Sequence, residues 1–305
     1  MARRQKRIWI TGAAGFSGRH LIRFLRELPE SLHLVGFDLR PTAPEGLDVY
    51  HQVDLGDAAK LREVAQAQPP DRVIHLAGLL PPAAEADLWR VNVGGTLNLL
   101  HALAEAKAPA VRFVTVGSAA EYTNFSSRRT RENHRAGGNS PYGRTKWAQS
   151  TLALAFGEQM KMKTMVARTF NLIGPGTPLS LVPGALCAQF ANGQTEIKVG
   201  NLKPERDFID IRDAVAAYWT VCEKGIPGNI YNVCTGKTAS IGTLVKLFCK
   251  YASGPRKISH EAARSRKNDL NRVCGDNSKL LALGCRPGIP LSQSVRDMLE
   301  SARPQ

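Results

Sequence analysis

Three glycines, Gly12, Gly15 and Gly18, stand at G-x-x-G-x-x-G spacing between an apolar run, Ile8-Trp9-Ile10, and an amphipathic stretch. A glycine turn from strand into helix lets the backbone approach a pyrophosphate, which then sits at the positive end of the helix. Such a turn belongs inside a parallel sheet whose helices pack on its faces, and this restricts the chain more than any other feature. Glycines also make plain turns, so the flanking strand and helix give the spacing its weight.

The rest of the chain agrees. Residues 8–12 read as a buried strand, and residues 15–28 as a helix with Leu21, Ile22, Leu25 and Leu28 on its apolar face. Strand patterns recur at 32–38, 72–77, 111–116 and 164–168. Helical patterns fill 54–67 (after a loop), 89–106 and 142–160. Strands alternating with helices predict α/β architecture, a Rossmann-type doubly wound parallel sheet. After Asn171 the elements are smaller: helices at 182–191, 211–222 and 241–252, strands at 196–199 and 230–233. The expected division is a dinucleotide-binding domain over 1–170, with 205–235 contributing to it, and a mixed α/β substrate lobe over 171–305. That lobe would cover the carboxyl ends of the sheet, where such folds bind ligands.

Composition narrows the function classes. The 305 residues are 43% hydrophobic, enough for a large core, yet no run of about 18 apolar residues would span a membrane. The basic start, Met-Ala-Arg-Arg-Gln-Lys-Arg, lacks a signal peptide's apolar stretch, so a cytoplasmic chain is expected. Six scattered cysteines with no ligand spacing read as reduced thiols, with no metal. The net charge of +15 suits an anionic partner. It is spread along the chain, which points to a small anion such as a nucleotide diphosphate and away from nucleic acid.

Within this frame, the loop residues Gly12, Gly15, Phe16, Ser17 and Gly18 are the candidate pyrophosphate contacts. Asp38 ends the second strand, where a carboxylate can hold the adenosine ribose and favour NAD(H). Beyond Leu39, Arg40 could instead pair with a 2′-phosphate, so NADPH and NADH both stay open. Asp54 and Leu55 are candidates for the adenine. Leu76, Ala77 and Gly78 end another strand with small residues that permit close approach. Asn92, Val116 and Thr169 complete the expected cofactor wall.

Tyr142 and Lys146 lie four residues apart at the start of a predicted helix and so share a face. An ammonium beside a phenol, together with an oxidised nicotinamide, would lower the phenol's pKa and fit it for proton exchange with a carbonyl or alcohol. Ser118, delivered by the strand before it, could hydrogen-bond the same oxygen. Ser140 and Pro141 alone would make an ordinary helix start. The glycine loop tips the reading to a proton-transfer site.

These residues, with Val91-Asn92-Val93-Gly94-Gly95-Thr96, Gly117-Ser118-Ala119-Ala120-Glu121-Tyr122 and Arg168-Thr169-Phe170-Asn171, resemble the extended short-chain dehydrogenase/reductase family, in its nucleotide-sugar branch. Arg206-Asp207-Phe208-Ile209-Asp210 and Tyr231-Asn232-Val233-Cys234-Thr235-Gly236 are similar to the GDP-4-keto-6-deoxy-mannose reductases in particular. The resemblance implies Ser118, Tyr142 and Lys146 as the catalytic trio. It implies Ser118, Ala119, Asn171, Val182 and Val199 against the substrate, with Arg206 and Arg266 gripping its diphosphate. Related dehydratases carry an acidic pair where Ala119 and Ala120 stand, and epimerising relatives a cysteine at the position of Ala120. Elimination and double epimerisation are thereby disfavoured. In the family's usual pattern a glycine follows the tyrosine of the serine loop; here it is Thr123.

The implied activity is NAD(P)H-dependent reduction of the C4 keto group of a nucleotide-linked 4-keto-6-deoxy sugar. GDP-4-keto-6-deoxy-D-mannose would give GDP-D-rhamnose or its C4 epimer, and a heptose analogue fits the same chemistry. The rivals are a 4-epimerase that keeps NAD bound and a dinucleotide-sensing binding protein. Leu97, Leu100 and Leu103, with Leu152, Leu154 and Phe156, exceed what one core contact needs; the family pairs through these helices, so a homodimer is expected.

Overall fold

The structure is a computed structural model describing residues 5–106, 111–125, 128–261 and 270–302. Strand β1 (Lys6–Thr11) leads through the glycine turn into α1 (Phe16–Arg26); β2 (Leu32–Asp38), β3 (Val49–Gln52), α2 (Ala58–Ala67) and β4 (Arg72–His75) follow. A short helix α3 (Glu85–Leu88) passes through a widened π-helical turn (Trp89–Gly95) into α4 (Thr96–Glu105). Next come β5 (Arg112–Ser118), a 3₁₀ turn (Ala119–Glu121), α5 (Pro141–Met160) and β6 (Lys163–Thr169). The remainder holds β7 (Asn171–Ile173), α6 (Val182–Ala191), β8 (Glu196–Val199), β9 (Glu205–Arg206), β10 (Phe208–Asp210), α7 (Ile211–Lys224) and β11 (Ile230–Val233). The chain closes with β12 (Ala239–Ser240), α8 (Ile241–Tyr251), β13 (Lys257–His260), β14 (Arg272–Val273), α9 (Ser278–Ala282) and α10 (Leu291–Ser301).

Seven strands form one sheet in the order β3-β2-β1-β4-β5-β6-β11, and every pairing is parallel. Successive residues of β1 explain its unbroken apolar run. Ile8 and Ile10 point into one core with α1 and α7, while Trp9 points into a second with α2, α4 and α5. Both faces are covered there, so the middle of the strand, Ile8 to Ile10, is apolar at every position. The order reverses between β1 and β4, which opens a crevice at the carboxyl ends of those strands. Thr11, His75, Ser118 and Thr169 end their strands at that edge.

After β6 the chain leaves the sheet, and β11 rejoins it beside β6. A third core, with Phe190 stacked on Phe248 at 5.4 Å, joins α6, β8, α8 and α10.

Three details depart from the sequence reading. The edge strand β3 was not expected, because Tyr50, His51 and Gln52 carry no apolar run. The expected helix over 89–106 is broken by the π-helical turn, where Thr96 Oγ1 donates to the carbonyl of Asn92 at 2.7 Å and the Asn92 side chain turns inward. No helix or strand past 252 is expected from the sequence, yet α10 packs Val295, Met298 and Leu299 into the third core.

Candidate active site

The glycine turn is built for close approach. Gly12 has φ +68°, and a Cβ there would lie 2.9 Å from the amide nitrogen of Ala77. A Cβ on Gly18 would run into the carbonyl oxygens of Gly12 and Ala13. Helix α1 begins after Gly15 with no side chain capping it, so its first N–H groups face the crevice unclaimed by the protein's own side chains. A dinucleotide's pyrophosphate fits this cradle, and any larger residue at Gly12 or Gly18 would fill it.

Asp38, at the end of β2, accepts from the backbone N–H of Ala14 at 2.9 Å and of Arg40 at 3.1 Å. Two guanidinium groups converge beside it: Arg40 and Arg19 both donate to the carbonyl of Ala14, at 2.5 and 3.1 Å. Leu39 is exposed at the same rim. Asp54 accepts from the N–H of Gly56, while Leu55 is buried against Gly95 in the second core. Ala77 donates to Thr11 Oγ1, and Asn92 holds both backbone polar groups of Leu79.

Ser140 caps α5 by accepting from the N–H of Gly143 at 3.0 Å, and Pro141 occupies the first turn. The cap fixes Tyr142 and Lys146 on one face. Gly143 lets the helix start press on the carbonyl of Ala120, where a Cβ has no room. That contact holds the Tyr142 phenol beside Ser118. Burial pushes the Tyr142 phenol up to about 12, against the Ser118 hydrogen bond, which favours the anion. Burial brings Lys146 down to about 8, against the negative charge of Glu121. The expected lowering of the phenol by the lysine is therefore not what the protein alone provides. The Lys146 ammonium donates to the carbonyl of Val116 at 2.7 Å and to Gln149 Oε1.

A buried polar chain continues from there. Gln149 Nε2 meets Thr96 Oγ1 at 2.8 Å and the ring of His75, which in turn meets Thr11 Oγ1 at 2.7 Å. Burial, then the Lys146 charge, brings His75 down to about 3, so it is neutral. The lysine and the glycine turn thus belong to one hydrogen-bonded array.

These groups open onto a cavity of about 390 Å³. Of the residues singled out in the sequence, Ser17, Leu76, Gly78, Val116, Ser118, Tyr142, Lys146, Thr169, Asn171, Val182 and Arg206 line it. Ala119 is buried beneath the serine loop, and Val199 packs in the third core, so the cavity wall is made by its neighbours Gly200 and Asn201. Arg266 lies outside the described residues. Arg206 donates to the carbonyls of Glu205 and Leu270, both at 2.8 Å. Sequence reasoning missed Phe208, Leu181, Ile241 and Tyr218, which also line the cavity. Tyr218 sits in the middle of α7 and reads as core, yet its hydroxyl meets Thr169 Oγ1 at 3.0 Å.

The NAD dependent epimerase/dehydratase family matches residues 8–234, the span from β1 to just past β11. The chain belongs to this family. It is a nicotinamide-dinucleotide enzyme of the extended short-chain dehydrogenase/reductase type. The chain is 31% identical to GDP-6-deoxy-D-mannose reductase of Pseudomonas aeruginosa, with 96% of each chain covered. It is 26% identical to GDP-6-deoxy-D-talose 4-dehydrogenase of Aggregatibacter actinomycetemcomitans, over 90% of each. The solved structure of RMD from Pseudomonas aeruginosa complexed with NADPH superposes with a TM-score of 0.85 at 30% identity, covering 98% of this chain and 99% of that one. Among the described residues no helix is long and apolar enough to cross a membrane.

Proposed function

We propose that this chain reduces the C4 keto group of a nucleotide-linked 4-keto-6-deoxy sugar, with GDP-4-keto-6-deoxy-D-mannose as substrate and GDP-D-rhamnose or its C4 epimer as product. The observation that carries this reading is that Ser118 and Tyr142 stand beside one another on the cavity wall, with Ala119 and Ala120 following the serine. Two hydroxyls can polarise and protonate a carbonyl; two alanines cannot catalyse an elimination. The likeness to a reductase along nearly the whole chain supports the same choice.

Bound NADPH or NADH supplies the hydride. Tyr142, protonated at neutral pH, gives its proton to the C4 oxygen, and Ser118 hydrogen-bonds that oxygen. Lys146 holds the cofactor ribose, placed by its bonds to Val116 and Gln149. Arg206, with Arg266, takes the diphosphate, since guanidinium forks bind phosphate oxygens in bidentate fashion. Asn171 and Val182, which line the same cavity, meet the substrate. The reading includes a cytoplasmic homodimer formed through the helices around 92–106 and 143–160. Trp147 on the second of these helices and Trp89 just before the first, each 40% exposed, support it.

The test is incubation with freshly prepared GDP-4-keto-6-deoxy-D-mannose and each reduced cofactor, followed by identification of the sugar. Cofactor oxidation matched by a 6-deoxyhexose product is expected. Tightly bound NAD in the purified protein, with interconversion of UDP-hexoses and no net oxidation, would replace the reductase with an epimerase.

A further inference from the structure

We propose that Glu121 is a positioning residue for the reduction: one buried carboxylate that locks the strand end carrying Ser118 to the helix carrying Tyr142 and Lys146. The inference rests on the role given to Ser118 and Tyr142 above.

Glu121 is fully buried. Its Oε1 accepts from the backbone N–H of Ser118 at 2.7 Å and from Ser150 Oγ at 3.1 Å. Its Oε2 accepts from Arg168 Nε at 2.9 Å and lies 2.7 Å from Nη2. Three elements meet at this group. Ser118 ends β5, Arg168 stands on β6 opposite Gly117, and Ser150 is the next residue on the α5 face that carries Tyr142 and Lys146. Arg168 is itself buried and stacks 4.5 Å over the ring of Tyr122, whose hydroxyl donates to Asn232 of β11. Gly117 makes the arrangement possible, because a Cβ there would occupy the place of Glu121 Oε1.

Burying a carboxylate and a guanidinium is costly, and apolar side chains of similar volume commonly serve stability as well or better. An ion pair under the serine therefore calls for a purpose beyond filling the core. Its geometry supplies one. The same oxygen that fixes the Ser118 backbone also holds Ser150 of α5, so two hydrogen bonds to one atom tie the strand end that carries Ser118 to the helix that carries Tyr142. A displacement of about 1 Å at such a site can cost about a hundredfold in rate.

Two double variants separate this role from a purely structural one. Glu121→Val/Arg168→Met replaces the pair with apolar groups and leaves the Ser118 N–H without an acceptor. The expectation is a fall in kcat of about tenfold or more, with KM for both ligands within about twofold. Glu121→Gln/Arg168→Met keeps an amide oxygen for Ser118 and should recover most of the lost rate. Amide hydrogen exchange of the 112–122 segment gives a reading independent of turnover: faster at Ser118 in the valine variant, protected in the glutamine variant. Wild-type kcat together with wild-type protection in the valine variant overturns the proposal. Should that variant fail to fold, Ser150→Ala and Glu121→Asp decide, since wild-type kcat in both would be equally fatal. A wild-type protein that turns over no 4-keto sugar sinks the proposed function, while the exchange measurement still decides the clamp.

Discussion

At the scale of single residues, the protonation of the site matches the donor role proposed for Tyr142. Burial holds the Tyr142 phenol up to about 12, so the group is loaded with a proton at neutral pH, as a donor in a reduction must be. Tyr142→Phe should lower kcat by about 10²–10⁴-fold while leaving dinucleotide affinity, measured by fluorescence titration, within about twofold. Lys146 provides a test in stability. Its pKa falls from 10.5 in the unfolded chain to about 8 in the folded one. Between those values the unfolded state binds the extra proton, so the lysine's contribution to stability increases as pH rises from about 8. Urea titrations at pH 7 to 9.5 should show that increase in the wild type relative to Lys146→Met; parallel pH dependences would refute it. Arg19 and Arg40 converge beside Asp38, where a cationic pair suits a 2′-phosphate. Arg40→Ala should weaken NADPH about tenfold, or ~1.4 kcal/mol, and NADH far less, as read by calorimetry.

At the scale of elements, two glycines distinguish binding from folding. A Cβ on Gly18 would collide with the turn's own carbonyls, so Gly18→Ala should abolish dinucleotide binding before it unfolds the sheet. A Cβ on Gly157 would instead strike the side chain of Thr164, where α5 packs on β6. Gly157→Ala should cost about 1–3 kcal/mol in urea unfolding and leave cofactor affinity intact. The long elements were legible in the sequence because their apolar periodicity is strong. The π-helical turn around Asn92 was not, because its cause is a set of partners distant in sequence: Asn92 also donates to Thr145 on α5.

At the scale of the whole molecule, the cavity is closed by parts that sequence order separates. Ser118 and Tyr142 come from the sheet side, Val182 from α6, Arg206 from β9 and Ile241 from α8. Dimerisation belongs to this scale too. Light scattering should give twice the 33.2 kDa chain mass, and Trp147→Glu should shift it toward the monomer. A monomeric wild type at micromolar concentration would remove the homodimer from the reading.

The amino-acid sequence by itself determined the parallel sheet, the glycine cradle and the shared face of Tyr142 and Lys146. Each is written in a local pattern: an apolar run, a spacing, a helical period. Only the tertiary structure decided that Glu121 would be buried against Arg168 beneath Ser118, that Tyr218 would reach the cavity from within a core helix, and that Val199 would turn into the third core. Those outcomes depend on which strand lies beside which and at what register. A one-residue slip between β5 and β6 would part Gly117 from Arg168 and send the charges elsewhere.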